Sequence, residues 1–158
     1  MIRVDYAIIG GGIAGITLKH FLKNDRTVLL DPEPGRYKIG ESIIPEQFRH
    51  ADLHALLPRL RATPSYSPKH GTTFIEAGSV ASFPLPPGAL DGAMHIARTD
   101  MEHVMLDAWN IEPRIERVVG VDLERRRLRT DVNEYEVAEQ IIDCSGPAMV
   151  LSGLLGKT

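Results

Sequence analysis

Hydrophobic and polar positions along the first 31 residues predict a strand, a tight turn, a helix and a second strand. A short apolar run rich in β-forming residues, VDYAIIG (4–10), ends in glycines. The segment that follows, 12–24, places five apolar residues at largely helical spacing: Ile13, Ile16, Leu18, Phe21 and Leu22. TVLLD (27–31) is apolar almost throughout, as is typical of a buried parallel strand. The pattern therefore predicts a βαβ unit over residues 1–31.

The pattern becomes less regular between residues 35 and 98. PEQFRHADLHALL (45–57) predicts a helix that has Pro45 in its first turn and is ended by Pro58. GTTFIEAG (71–78) and VASFPL (80–85) predict two strands, and PPGALDG (86–92) predicts a loop. This segment is thus expected to insert a helix and strands after the βαβ unit.

Residues 99–158 predict a helix, an antiparallel meander and a final turn. Thr99 and Glu102 have the spacing of a capping box, and the helix that they open carries Met101, Val104 and Met105 on one face. From Arg114 the order is strand, turn, strand, turn, strand, ending at DCSG (143–146). The whole pattern predicts a Rossmann-like α/β fold in three layers, with a parallel sheet and an antiparallel β-meander.

Length and composition limit the classes of protein. A chain of 158 residues that is 43% hydrophobic is expected to form one domain, 1–158. A net charge of −3, from 18 basic and 21 acidic residues, predicts neither a nucleic-acid partner nor an anionic membrane partner. One cysteine excludes an internal disulfide, and no run of about 18 apolar residues or signal-like amino terminus is present, so we predict a cytoplasmic protein. His50 and His54 share a helix face without a third ligand, and we predict no metal site.

The first chemical motif is Gly10-x-Gly12-x-x-Gly15, directly after a strand and at the start of a helix. Glycines permit the tight turn, the close approach of backbone to a pyrophosphate and close packing of helix on strand, and the helix amino terminus, with Ile13 and Ala14, favours negative charge. Asp31 ends the next strand 21 positions after Gly10, where a carboxylate can accept hydrogen bonds from a ribose. An acidic residue there disfavours a 2'-phosphate, so the pattern predicts FAD or NAD rather than NADP.

The segment after Asp31 bears on the choice between FAD and NAD. An NAD domain would continue with a regular helix and a further parallel strand. This chain instead continues with GRYKIGESIIPE (35–46), an irregular stretch that precedes the inserted elements. An NAD dehydrogenase domain is therefore the weaker of the two interpretations.

The chain resembles the N-terminal, FAD-binding part of the flavin-dependent halogenases and of the related FAD-dependent monooxygenases. PGRYKIGESIIPE (34–46) is similar to the family pattern PRxxIGESxxP, and PKHGTTFIEAG (68–78) is similar to KxGxTFxWG. ARTDMEHVMLDAW (97–109) resembles the helix that follows the family's arginine, and IIDCSG (141–146) resembles viDASG. The resemblance extends over essentially all 158 residues.

The resemblance also implies roles for residues outside the glycine motif. It implies that Gly40, Glu41 and Ser42 form a loop beside the flavin, that Arg98 contacts the phosphate or ribityl side of the flavin, and that backbone at Gly146 approaches the cofactor. Lys69 matches the lysine that binds or directs hypohalous acid in halogenases. Hydroxylating relatives need no such lysine.

Two classes of function follow from the resemblance. The first is an FAD-dependent halogenase of a small phenol-, pyrrole- or indole-type substrate, acting through a flavin hydroperoxide, or alternatively an FAD-dependent aromatic hydroxylase. The implied partners are a free or carrier-bound aromatic substrate, O2, halide and a separate flavin reductase. The second is a truncated, non-catalytic nucleotide-binding remnant, because the family's later Gly-Asp motif and substrate domain are absent from the 158 residues. We expect an N-terminal portion of the family fold, incomplete at its carboxyl end, made of 1–31, 35–98 and 99–158.

Overall fold

The computed structural model describes residues 1–85 and 93–157, without the side chains of Pro45 and Glu46. The loop predicted for 86–92 lies outside the described residues. The strands in chain order are β1 (Ile2–Ile9), β2 (Thr27–Leu30), β3 (Glu41–Ile43), β4 (Ser67–Pro68), β5 (Gly71–Glu76), β6 (Ser79–Pro84), β7 (Met94–Ile96), β8 (Val118–Asp122), β9 (Arg127–Thr130) and β10 (Glu134–Asp143). The helices are α1 (Ile13–Leu22), α2 (Ala51–His54), α3 (Leu57–Arg61), α4 (Arg98–Ala108) and α5 (Val150–Leu154), with 3₁₀ turns at Pro45–Phe48 and Gly146–Ala148.

The chain divides into two compact units, which we describe separately. The first unit comprises Met1–Arg36 and Met105–Thr158, and the second comprises Tyr37–Val104. The first unit contains a five-stranded sheet of order β2-β1-β10-β9-β8. β1 pairs in parallel with both β2 and β10, whereas β9 pairs antiparallel with both β10 and β8. The α/β fold class, with a parallel part and an antiparallel meander, is therefore confirmed.

Apolar side chains of the central strands form the core of the first unit. β2 is buried at all four positions, as expected for a parallel strand covered on both faces. The core cluster comprises Val4, Ala7, Ile9, Val28, Leu30, Leu128, Tyr135 and Val137. This core fixes the carboxyl ends of β1, β2 and β10 at one edge of the sheet, because all three strands run in the same direction.

The second unit contains two small antiparallel sheets. One has the order β3-β7-β4, and the other is the hairpin of β5 and β6. β7 is central in the first of these sheets, and its residues Met94 and Ile96 are buried. Both strands of the hairpin are exposed along most of their length.

Three local predictions for the second unit are wrong. Glu41 and Ser42 lie in a short strand, not a loop, because they pair with Ile96 and His95 of β7. The helix predicted over 45–57 is a 3₁₀ turn followed by two short helices, and Pro58 lies in the first turn of α3 instead of ending a helix.

The predicted capping box is the third of these errors. α4 begins at Arg98, so Thr99 is inside the helix. Glu102 forms ion pairs with Lys38 and Arg98. The local spacing therefore predicts a helix cap, but in the folded chain the Glu102 carboxylate makes a long-range contact with Lys38.

The helices in the part of the chain that the structure describes were compared with the requirements for crossing a membrane. None of the helices there has the length and apolar character needed to cross a bilayer.

Candidate functional site

The glycine loop between β1 and α1 is a tight turn that excludes side chains. Gly10 has a φ of +104°, and a Cβ there would lie 2.5 Å from the carbonyl oxygen of Cys144. A Cβ on Gly15 would lie 1.9 Å from the carbonyl oxygen of Gly10. Since real Cβ atoms are not found this close to backbone, both positions require glycine. The turn and the close packing of α1 thus have the geometry that the motif predicts.

Asp31 lies immediately after β2, beside this loop. Its Oδ2 accepts a hydrogen bond from the Gly11 N–H at 2.8 Å, and its Oδ1 accepts one from the Glu33 N–H at 2.9 Å. A Cβ on Gly11 would lie 2.7 Å from Oδ2, so a third glycine is needed here. Asp31 is buried. The hydrogen bond from the Gly11 N–H holds its carboxylate against the glycine loop.

The amino terminus of α1 offers donors next to this carboxylate. The first hydrogen bond into the helix runs from the Ile16 N–H to the Gly12 carbonyl at 3.0 Å. The four preceding N–H groups, which include those of Ile13 and Ala14, therefore have no partner within the helix. Free N–H groups and the helix dipole favour an anionic ligand at this position.

β10 brings a third segment to the same sheet edge. The Cys144 N–H donates to the Ile9 carbonyl at 2.8 Å. Gly146 follows with a φ of +62°, and no atom of the described residues lies within 4 Å of the place a Cβ would occupy. Burial alone would raise the pKa of Asp143, but hydrogen bonds from the Ser145 hydroxyl and from the backbone N–H groups of Leu151 and Ser145 lower it overall. Burial raises the pKa of the Cys144 thiol, and the charge of Asp143 adds to this effect. The thiol is therefore protonated at neutral pH, which suits a packing residue better than a nucleophile.

In the second unit, β3 holds the Gly40-Glu41-Ser42 segment against β7. A Cβ on Gly40 would lie 3.0 Å from the carbonyl oxygen of Ile96, so this glycine lets the segment approach its own neighbouring strand closely. Ser42 is opposite His95 in the register of the two strands. Its side chain is exposed.

Lys69 is brought to the Ser42 side chain. The Lys69 Nζ donates to the Ser42 Oγ at 2.9 Å, and the Lys69 N–H donates to the Ala93 carbonyl at 3.2 Å. Lys69 is half-buried, but its hydrogen bond with Ser42 is exposed, so its ammonium group can reach solutes. Two residues that the sequence assigns separately therefore share one hydrogen bond.

Arg98 lies between two carboxylates at the start of α4. Its Nε is 3.3 Å from Glu41 Oε1, and its Nη2 is 3.7 Å from Glu102 Oε1. The other oxygen of Glu102 accepts a hydrogen bond of 2.6 Å from Lys38 Nζ. The structure thus connects two predicted site residues, Glu41 and Arg98, with Lys38 and Glu102, which were not predicted to belong to a site.

Three residues of these clusters were missed by the sequence reasoning. Gly11 could have been predicted as part of the loop, because the sequence has three consecutive glycines at 10–12 and Gly11 is the middle one. Lys38 and Glu102 could not, because a bond between residues 64 positions apart leaves no local pattern.

The residues of the first unit fit the ADP part of FAD. An ionised carboxylate has about four lone-pair sites, and two of those on Asp31 are used by Gly11 and Glu33. The remaining sites suit the hydroxyl groups of a ribose, while the first turn of α1 suits a pyrophosphate. The glycine positions, where a Cβ would clash, also keep side chains out of the loop.

Comparison with known proteins gives matches in structure only. No protein-family model matches the chain, and no curated protein matches its sequence. Among solved structures, the chain is similar to the myxobacterial chondrochloren halogenase CndH, a variant of the FAD-dependent halogenases, with 22% identity and a TM-score of 0.73 over 94% of this chain and 38% of that one. It is also similar to the flavin-dependent brominase Bmp2, with 22% identity and a TM-score of 0.74 over 98% of this chain and 41% of that one.

A third similar structure comes from the monooxygenases. It is PqsL, a probable FAD-dependent monooxygenase from Pseudomonas aeruginosa, with 16% identity and a TM-score of 0.66 over 98% of this chain and 46% of that one. The chain thus spans less than half the length of each of these three structures. At such identities the likeness establishes the fold, which is that of the N-terminal part of FAD-dependent halogenases and monooxygenases.

Proposed function

We propose that the chain binds FAD and belongs to an FAD-dependent halogenase that acts on a small phenol-, pyrrole- or indole-type substrate. One observation carries the cofactor assignment: a buried carboxylate, Asp31, is hydrogen-bonded to a glycine loop whose tight positions exclude any Cβ. The likeness in fold to FAD-dependent halogenases and monooxygenases supports FAD over NAD.

Residues of the first unit have distinct roles in this proposal. Asp31 accepts hydrogen bonds from the ribose hydroxyls, and the N–H groups of residues 12–15 donate to the pyrophosphate. Gly146 gives the cofactor access to backbone, because no atom in the described part of the chain lies within 4 Å of its missing Cβ. A 2'-phosphate beside Asp31 would place two anions together, which disfavours NADP.

Residues of the second unit supply the polar groups of the chemistry. Arg98 offers a guanidinium group for the phosphate or ribityl side of the flavin, and Glu41 Oε1 lies 3.3 Å from its Nε. Reduced FAD, when bound, would supply the electrons with which O2 is activated. The activated oxygen would oxidise halide to hypohalous acid. Lys69 would hold this acid by hydrogen bonding from its ammonium group, and the Ser42 hydroxyl would fix the position of that group.

The partners of such an enzyme follow from the same proposal. They are an aromatic substrate, free or attached to a carrier, together with O2, a halide ion and a separate flavin reductase. A hydroxylase would use the same substrate and O2 without halide, and one of the structures similar in fold is a probable FAD-dependent monooxygenase.

Titration of the protein with FAD, NAD and NADP tests the cofactor assignment. Calorimetry and flavin fluorescence should give a lower dissociation constant for FAD than for NAD, and weaker binding still for NADP. Riboflavin, which lacks the ADP part, is the matched control and should bind more weakly than FAD. Tighter binding of NADP than of FAD, or equal binding of riboflavin and FAD, would contradict the assignment.

A further inference from the structure

Four charged side chains of the second unit alternate in sign. They are Lys38, Glu102, Arg98 and Glu41, and consecutive members approach within 2.6, 3.7 and 3.3 Å. The Glu102 side chain is 2% exposed and that of Lys38 is 14% exposed, whereas those of Arg98 and Glu41 are 32% and 39% exposed. One end of the chain of charges is therefore buried and the other faces solvent.

Glu102 interacts very differently with its two cations. Lys38 makes a short hydrogen bond to Oε2, which is the charge-assisted kind that is strongest in proteins. Arg98 stays 3.7 Å from Oε1, beyond hydrogen-bonding distance, and Oε1 has no other hydrogen-bond partner among the described residues. Lys38, not Arg98, therefore satisfies most of the buried negative charge.

Arg98 keeps unused donors as a result. A guanidinium group has five N–H donors, and the buried Nε of Arg98 has no hydrogen-bond partner in the part of the chain that the structure describes. Its contact with Glu41 is an approach of charges at 3.3 Å, not a hydrogen bond. An arginine with free donors and partial exposure is suited to receive an anionic group.

We propose that Lys38 is a positioning residue that keeps Arg98 available to the flavin cofactor by neutralising Glu102. Removal of one partner of a buried ion pair leaves an uncompensated charge, which the protein must then neutralise in another way. Without Lys38, Arg98 is the nearest cation to Glu102, and a movement of less than about 1 Å would bring its Nη2 within hydrogen-bonding distance. The proposal rests on the proposed function, in which Arg98 faces the flavin.

A set of three variants tests the role of Lys38. Lys38→Met should raise the dissociation constant for FAD about tenfold, which corresponds to ~1.4 kcal/mol. Lys38→Met combined with Glu102→Gln should recover most of the affinity, because the carboxylate that captures Arg98 is gone. Lys38→Arg retains the cation and should bind FAD as the wild type does.

The control is Lys23→Met, which removes an exposed lysine of the first unit and should leave the FAD affinity unchanged. A double variant that binds FAD as weakly as Lys38→Met, or more weakly, would overturn the proposal. Unchanged affinity in Lys38→Met would overturn it as well. If Lys38→Met does not fold, the double variant decides, since it has no unpaired buried charge, and a tenfold loss of affinity in it contradicts the proposal.

A second measurement needs no cofactor and separates this proposal from the proposed function. The side-chain Nε–Hε resonance of Arg98 should shift between the wild type and Lys38→Met in NMR spectra of the unliganded protein, since Glu102 gains a bond to Arg98. The resonance should return toward its wild-type position in the double variant. A wild type that fails to bind FAD would contradict the proposed function, whereas an unshifted resonance in Lys38→Met would overturn the role of Lys38.

Discussion

At the scale of single residues, the candidate cofactor site of the first unit depends on glycines, which have no side chain, as much as on the side chain of Asp31. Gly10, Gly11 and Gly15 each lie where a Cβ would come within 3 Å of another atom. Asp31 accepts a hydrogen bond from the loop, donated by the Gly11 N–H. Ligand affinity and local packing can thus be changed separately, at Asp31 and at the glycines.

Replacement of Asp31 by alanine is expected to weaken FAD binding roughly tenfold to a hundredfold, because hydrogen bonds to a charged group contribute about 1.5–3 kcal/mol. The sheet should persist, as judged by circular dichroism, because its core is apolar and does not include Asp31. Calorimetric titration measures the loss. Glu33→Ala is the matched control, since Glu33 contacts Asp31 through its backbone N–H and its side chain is exposed. The same dissociation constant in Asp31→Ala and wild type would show that this carboxylate does not bind ribose.

Two glycine-to-alanine substitutions should have opposite effects on stability. Gly15→Ala places a Cβ 1.9 Å from a backbone oxygen, so α1 must shift, and we expect a loss of about 1–3 kcal/mol in the free energy of unfolding. Gly153, in α5, has no atom of residues 1–85 or 93–157 within 4 Å of its missing Cβ, and Gly153→Ala should gain up to about 1 kcal/mol through helix propensity. Urea unfolding measures both values. Equal stability of the two variants would show that the glycine loop tolerates side chains.

At the scale of elements, a buried carboxylate joins the strands of the meander. Glu116 is 5% exposed and accepts hydrogen bonds from the Tyr135 hydroxyl at 2.9 Å, the Thr130 hydroxyl at 2.7 Å and the Asn133 amide at 2.8 Å. Burial, followed by the hydrogen bond and the charge of Glu116, raises the pKa of Tyr135 to about 12. The meander therefore depends on a protonated tyrosine.

This raised pKa predicts a loss of stability at alkaline pH. The unfolded chain has a tyrosine pKa of about 10, so the contribution of Tyr135 is fully present below pH 10 and is lost as the pH rises toward about 12. Tyr135→Phe should remove this part of the alkaline loss, and should cost about 1.5–3 kcal/mol at neutral pH because a hydrogen bond to a charged group is lost. Urea unfolding between pH 7 and 11 measures both effects. Tyr37→Phe is the control, because Tyr37 is 87% exposed, and an identical alkaline profile for Tyr135→Phe and wild type would contradict the prediction.

Elements with a strong hydrophobic period could be predicted from sequence, and those held by distant contacts could not. β1, β2 and the meander follow from apolar runs that pack in one core, and α1 follows from apolar residues at helical spacing. β3 has three residues with no clear period and exists because β7 pairs with it. The assignment of Glu102 as a helix cap failed for the same reason, since Lys38 competes for its carboxylate from 64 residues away.

At the scale of the whole molecule, the fold is retained where sequence identity is low. The chain superimposes on the chondrochloren halogenase and the brominase with TM-scores of 0.73 and 0.74 at 22% identity. Two features of this fold require few specific residues: the glycines at positions where a Cβ would clash, and the buried parallel strand β2. The same fold can therefore be kept with most positions changed. A likeness at this identity establishes the fold alone, so the reaction has to be tested on the side chains to which the proposed function assigns it.

Lys69 is the group expected to decide between halogenation and hydroxylation. Its ammonium group donates to Ser42 in an exposed hydrogen bond and Lys69 is not a core residue, so Lys69→Ala removes a hydrogen-bond donor without opening the core. If Lys69 directs hypohalous acid, the variant should lose halogenated product while consumption of O2 with reduced FAD continues. Mass spectra of products formed with and without chloride or bromide measure this, and Lys23→Ala serves as a control for the loss of an exposed lysine. Oxygenated product that forms without halide and survives in Lys69→Ala would assign a hydroxylase, and a wild type that binds FAD but yields neither product would contradict both activities.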